Sequence, residues 1–226
     1  MNIVSIVPAR GGSKGIPRKN IKLLNGKPVI FYSIEASKSC SLINKTYVST
    51  EDDEISDISK DFGANIINRP LELASDTSSS IDVIIHALDY LENKEALPDA
   101  FVLLQPTSPL RTSVDIENAV NLFMDYDCDS LVSVCELDHQ ALLNFSLEED
   151  YLIQNTDKSF FNSRRQDLPS YYTLNGAIYI TTPSFIRKNK SFFSKKTIPY
   201  IMPKERSVDL DVPFDFKLVE FLLDDE

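Results

Sequence analysis

Histidine is nearly missing from this 226-residue chain. Only His86 and His139 occur, which excludes a zinc site built from several histidines. Cysteine is scarce too: Cys40, Cys128 and Cys135 are odd in number and share no paired spacing. That excludes a disulfide framework and points to reduced thiols in a cytoplasmic protein. No apolar run approaches the roughly 20 residues of a membrane helix, and no signal-peptide pattern precedes the first strand-like run. Repeats and low-complexity tracts are absent. So are both best-known phosphate patterns: neither the Walker A spacing nor G-x-G-x-x-G occurs, which argues against a P-loop ATPase and a dinucleotide-binding dehydrogenase. No acidic residue appears before Glu35.

Glycine is rare but concentrated. Three of the six fall within five residues, Gly11, Gly12 and Gly15, in Ala9-Arg10-Gly11-Gly12-Ser13-Lys14-Gly15-Ile16-Pro17-Arg18-Lys19-Asn20. The segment follows the apolar run Ile3-Val4-Ser5-Ile6-Val7-Pro8. Glycine lets backbone approach an anion closely, and successive N–H groups can converge on phosphate oxygens. Lysine adds a point charge and arginine a forked donor. The segment therefore reads as a nucleoside-triphosphate loop, a solvated basic loop being the plain alternative.

Charge supports the first reading. Residues 1–34 carry a net +6, so the rest carries -17 to reach the overall -11. A cationic pocket on an acidic body attracts a small anion and repels the long backbone of a nucleic acid.

At 42% hydrophobic content the chain has enough apolar material for one domain spanning residues 1–226. Strand-like runs alternate with amphipathic helical stretches, which predicts an α/β fold with a mostly parallel sheet flanked by helices. Strands are expected at 3–8, 44–50, 64–68, 101–105, 130–135 and 175–180. Helices are expected from Lys27 (with Pro28 in the first turn), over 53–62 and 82–91, from Thr112 to near Tyr126, and over 213–223. His86 reads as a structural residue on a helix flank. Residues 136–172 are polar and aromatic with weak periodicity, and their aromatic anchors suit packing on another surface, a dimer partner above all. In such sheets ligands sit at the carboxyl ends of the strands. Loop 9–20, the run Gln105 to Arg111, and Asn175 would then line one cleft.

Five ordered segments carry a resemblance. They are the loop through Asn20; Arg69-Pro70-Leu71-Glu72-Leu73-Ala74-Ser75-Asp76-Thr77; Leu104-Gln105-Pro106-Thr107-Ser108-Pro109-Leu110-Arg111; Asn175-Gly176-Ala177-Ile178-Tyr179; and Ser207-Val208-Asp209-Leu210-Asp211. In this order the chain resembles the bacterial CMP-sialic acid synthetases (acylneuraminate cytidylyltransferases) along nearly its whole length. The resemblance implies a Rossmann-like nucleotidyltransferase fold, and transfer of CMP from CTP to a nine-carbon 2-keto sugar acid with release of pyrophosphate. It also implies a magnesium ion and a homodimer with shared active sites, formed through an extension that residues 136–172 match in position. N-acetylneuraminate is the first acceptor to consider. The turn around His139 lacks the lysine common in enzymes acting on it, which leaves legionaminic and pseudaminic acids open. The loop also departs from the Arg-x-x-Ser-x-Arg-x-Pro pattern of the eight-carbon (KDO) cytidylyltransferases. A non-catalytic nucleotide-binding module on the same fold is the alternative from another class.

By the resemblance, Arg10, Gly11, Gly12, Ser13 and Lys14 hold the triphosphate, with Lys19 assisting and Asn20 contacting ribose or phosphate. Arg69, Ser78 and Ser80 correspond to the cytidine pocket. Gln105, Asn175, Tyr179, Phe192 and Phe193 face the sugar acid, with Arg165 reaching in from the dimer partner. Read alone, Phe192 and Phe193 are ordinary core and Arg111 orients the turn holding Gln105. Asp209 and Asp211 are two apart, which on a strand puts both carboxylates on one face toward a cation. Without the family, an acidic cap on the following helix reads equally well; with it, they are the metal ligands. Asp211 is the candidate for deprotonating the sugar hydroxyl.

Overall fold

The computed structural model describes residues 1–13, 15–75, 78–94, 96–138, 143–155, 160 and 164–224, apart from the side chain of Arg165. A seven-stranded sheet is built from β1 (Ile3–Pro8), β4 (Lys45–Thr50), β5 (Asn65–Asn68), β6 (Ala100–Leu103), β7 (Ser130–Glu136), β10 (Tyr172–Thr181) and β11 (Thr197–Ile201). Their order across the sheet is β11-β7-β10-β6-β1-β4-β5. β10 alone runs antiparallel to its neighbours; the other pairings are parallel.

β1 is apolar throughout because both faces are covered. Ile3 and Val7 pack against α1 (Val29–Lys38), α2 (Asp53–Asp61) and α4 (Ser113–Asp125). Val4 and Ile6, pointing the other way, meet α3 (Ser80–Lys94) and α5 (Pro183–Asn189). A third cluster joins Ile16 of the basic loop, Leu110 and Leu210 to α6 (Pro213–Asp224), so the loop sits on apolar footing.

The expected helix from Lys27 begins later. Leu23–Leu24 (β2) and Lys27–Pro28 (β3) form an antiparallel hairpin, and α1 follows with Pro28 at its N-cap instead of in its first turn. Asn25 and Gly26 make the turn, both with positive φ (45° and 76°). Asn-Gly is the dipeptide that tolerates two left-handed residues in a row, and this signal outweighs the helical pattern around it. The other expected elements appear within a few residues of expectation, whereas β11 and α5 have no counterpart among the expected ones. Within 136–172 the chain forms a separate hairpin, β8 (Phe145–Glu148) with β9 (Tyr151–Gln154). No helix among the described residues is long and apolar enough to cross a membrane.

Candidate active site

A cleft of about 400 Å³ opens at the carboxyl ends of β1, β5 and β6, within the size range of small-ligand pockets. Arg10, Gly12, Ser13, Lys19 and Asn20 come from the loop after β1, and Arg69, Ser75 and Ser78 from the segment after β5. Ser80 stands at the first turn of α3, whose N-terminus adds a positive dipole. Gln105, Pro106 and Thr107 follow β6, and Asp209 and Asp211 line the cleft beside them, the Leu210 N–H donating to the Thr107 carbonyl (2.8 Å). Most of the predicted nucleotide residues are therefore gathered in one place.

Hydrogen bonds shape the loop. The buried Asn20 amide donates to the Arg10 carbonyl (2.9 Å), folding the loop on itself. Arg18, in the left-handed region, is clasped by Asp52 and Glu54, which push its pKa up. In return its guanidinium holds the Asp52 carboxyl below the usual range. Lys19 Nζ donates to the Leu210 carbonyl and lies 3.3 Å from Asp211 Oδ1, so the basic loop and the acidic segment adjoin each other. Lys14 lies outside the described residues, as does the side chain of Arg165.

Asp209 and Asp211 lie on an irregular segment, not on a strand. Both still line the cleft, because the intervening Leu210 is buried in the third apolar cluster and anchors the turn between them. Neither carboxylate caps α6; Asp215 does so, accepting from the N–H groups of Asp211 and Val212 (2.7 Å each). Crowding by protein atoms raises Asp209 above the usual carboxylate range, although its side chain still presents surface to the cleft. The charges of Asp211 and Asp215 add to the rise, against a hydrogen bond from Thr107 and the charge of Lys19. Two hard carboxylates beside a phosphate-type loop suit magnesium, which is content with one or two protein ligands plus phosphate oxygens. Among the described residues no group of three or more His, Cys, Asp or Glu could hold a metal.

The expected sugar residues divide. Gln105 lines the cleft, its Oε1 only 2.6 Å from where a Cβ on Gly176 would stand. With φ +73° as well, Gly176 admits no other residue without strain. Asn175 does not reach the cleft. At an irregularity in β10, its Oδ1 accepts from Ser133 and the Ala177 N–H, and its Nδ2 donates to Ser207 and Met202 Sδ. Its amide is thus fully engaged in tying β7, β10 and the Asp209 segment together. Phe192 is core, packed on Phe101 and Tyr179, and Phe193 is exposed away from the cleft lining. Tyr179 is half-buried; burial and then the charge of Asp209 push its phenol up. The Gly11 N–H is engaged by Glu51 (2.7 Å).

Arg111 holds the turn as expected. It is 2% exposed and donates to the carbonyls of Gln105 (3.3 Å) and Ala177 (3.0 Å) and to Ser33 (2.6 Å). Burial lowers its pKa to about 10, opposed by the charge of Asp115. His86 is half-buried on α3, with Nδ1 lacking a hydrogen-bond partner among the described residues, in keeping with a structural role. Sequence reasoning passed over Glu51, Asp52, Thr107 and Asp215. The sequence shows the first two only as an acidic pair at the end of a strand; that the basic loop lies beside them comes from the packing of β1 against β4.

A mostly parallel α/β sheet carrying a cationic loop at one strand end, with a carboxylate pair beside it in the same cleft, has the architecture of a nucleotidyltransferase. The family model for cytidylyltransferases matches residues 4–213, and the chain belongs to that family. It is 39% identical to the N-acylneuraminate cytidylyltransferase of Streptococcus agalactiae serotype V, over 96% of this chain and 52% of that protein. It thus spans about half the length of that relative. It is 35% identical to the CMP-N,N'-diacetyllegionaminic acid synthase of Legionella pneumophila, over 99% of this chain and 97% of that one. In fold it resembles a solved CMP:2-keto-3-deoxy-manno-octonic acid synthetase complexed with CTP, with a TM-score of 0.74 at 16% identity, covering 100% and 99% of the two chains.

Proposed function

We propose that this protein transfers CMP from CTP to the anomeric hydroxyl of a sialic acid-type nonulosonic acid, N-acetylneuraminate in the first instance, releasing pyrophosphate. One observation carries the reading. The cleft gathers Arg10, Ser13 and Lys19 of the basic loop, the adjoining carboxylates Asp209 and Asp211, and the polar residues after β5 and β6. Nucleotidyl transfer is chiefly positioning and charge stabilisation, and these residues supply both.

Arg10, Ser13 and Lys19, with Lys14 of the same loop, hold the triphosphate. Arg69, Ser78 and Ser80 face the nucleoside, and the N-terminus of α3 favours anionic ligand. Gln105 holds the sugar acid, and Asn175 supports the site from behind. Asp209 and Asp211 would hold magnesium, which when bound neutralises charge on the phosphate oxygens. The sugar hydroxyl attacks the α-phosphorus in line, its proton passes to Asp211, and the bond to pyrophosphate breaks. The proposal includes a homodimer in which Arg165 of one copy enters the site of the other. Exposed Phe145, Leu147 and Leu152, on one face of the β8–β9 hairpin, support that surface.

Legionaminic acid is the second reading for the acceptor, favoured by the near end-to-end match to the Legionella relative. The test is pyrophosphate release with CTP and magnesium against N-acetylneuraminic, legionaminic, pseudaminic and eight-carbon keto acids. One nine-carbon acid should give strong turnover, and Asp211→Ala should lower it by more than about 10²-fold. CTP binding without turnover across the panel would favour a non-catalytic module.

A further inference from the structure

β1, β4 and β5 are adjacent, parallel and end at one level, with Pro8 opposite Ser49 and Thr50 opposite Asn68. Beyond the strands the backbones stay tied: the Ala9 N–H donates to the Ser49 carbonyl (3.0 Å), and the Arg69 N–H to the Thr50 carbonyl (2.9 Å). This places Gly11, Glu51 and Arg69 side by side. Glu51 then bridges its two neighbours. Oε1 accepts from the Gly11 N–H (2.7 Å), and Oε2 accepts from Arg69 Nη2 (2.6 Å) and Nε (3.2 Å). The pair is well buried, with side chains 10% and 4% exposed.

Arg69 lines the cleft and Glu51 does not. The carboxylate therefore stands behind the wall, joining the glycine loop to the arginine of the nucleoside side. We infer that Glu51 is a positioning residue that fixes the phosphate loop and Arg69 in one mutual geometry for the nucleotide, and so sets CTP affinity separately from the sugar acid. This rests on the cytidylyltransferase reading given above. A neutral side chain of the same shape keeps only part of the bridge, because a carboxylate accepts from all three donors and a carboxamide presents one acceptor oxygen. Charge-assisted bonds of this kind are also stronger than neutral ones.

The test is calorimetric CTP binding and steady-state kinetics on the full chain. Glu51→Gln should weaken CTP, in both Kd and KM, by about tenfold or more, with KM for the acceptor within about twofold of wild type. Arg69→Lys should weaken CTP by a similar factor, and the double variant should be little worse than either single one. An arginine left buried without its carboxylate can unfold a protein. Glu51→Asp therefore accompanies it: this variant keeps the charge but, one methylene shorter, cannot reach both sides, and should show an intermediate loss of CTP affinity. The inference is overturned if the folded variants bind CTP within about twofold of wild type. It is also overturned if KM for both substrates and the melting temperature shift together, as for a merely structural residue. A wild-type chain that does not bind CTP overturns the cytidylyltransferase reading along with it; unaltered variants beside a CTP-binding wild type overturn this inference alone.

Discussion

At the scale of single residues, the acidic side of the cleft is held in an unfavourable state. Asp209 has its pKa raised by crowding and by the neighbouring Asp211 and Asp215. A carboxyl raised in the folded state binds its proton more tightly there than in the unfolded chain. That contribution to stability is fully present below the unfolded value of about 3.8 and is lost as pH rises through the raised folded value. At neutral pH the ionised Asp209 therefore costs some stability, as the proposed cation site would, and solvent at its exposed side chain lessens the cost. Asp209→Asn should raise the melting temperature of the metal-free protein at pH 7, with the difference fading toward pH 3. Adding magnesium should raise the melting temperature of the wild type and leave the variant unmoved. Thermal scans with magnesium and with a chelator, across pH, check both statements.

At the scale of elements, α4 is tied to the active-site wall by one carboxylate. Asp115 is 1% exposed and completes a capping box with Thr112, while also accepting from Arg206 and Tyr200. Those partners lie on β11 and on the turn that leads to Asp209. Burial alone would raise Asp115, but the bonds from Arg206 and Thr112 hold it below the usual range. Thr112→Ala removes the cap alone and should cost about 1 kcal/mol. Asp115→Ala strands a partly buried arginine as well and should cost about 3–5 kcal/mol. Because Asp115 is lowered, its contribution is present above the ordinary carboxylate value and lost as pH falls through the folded one. Urea midpoints for the two variants should therefore differ clearly at pH 7 and converge in acid.

At the scale of the whole molecule, the β8–β9 hairpin forms a two-stranded sheet of its own. Such a ribbon is marginal in water without a further surface to cover it. Leu147 and Leu152, paired across the hairpin and 70% and 68% exposed, share one face with the exposed Phe145, an apolar group that the proposed second copy would cover. Leu152→Asp should convert a dimer into a monomer by sedimentation equilibrium, leaving the urea midpoint within about 1 kcal/mol of wild type. Where both sites are shared, turnover should fall with the dimer.

Six of the seven sheet strands, the glycine-rich basic loop and the acidic pair were legible in the sequence, because each depends on local patterning; β11 was not. Apolar runs such as Ile3–Pro8 declare buried strands, glycine among cations declares an anion seat, and Thr112 with Asp115 declares a helix start. Even there a local signal was overlooked, since Asn25-Gly26 marked a hairpin where helical periodicity pointed to a helix. Only the tertiary structure decided which polar groups face the cleft. Asn175 and Gln105 are both amides at the ends of expected strands, yet the irregularity in β10 consumes one amide internally and leaves the other facing the cleft. Phe192 and Phe193 are identical in chemistry and adjacent, yet one is core and the other exposed. Glu51 gained its bridging place only when three strands ended side by side and brought in Gly11, 40 residues before it, and Arg69, 18 residues after it. Direction and partnership are properties of packing between distant segments, and no local pattern encodes them.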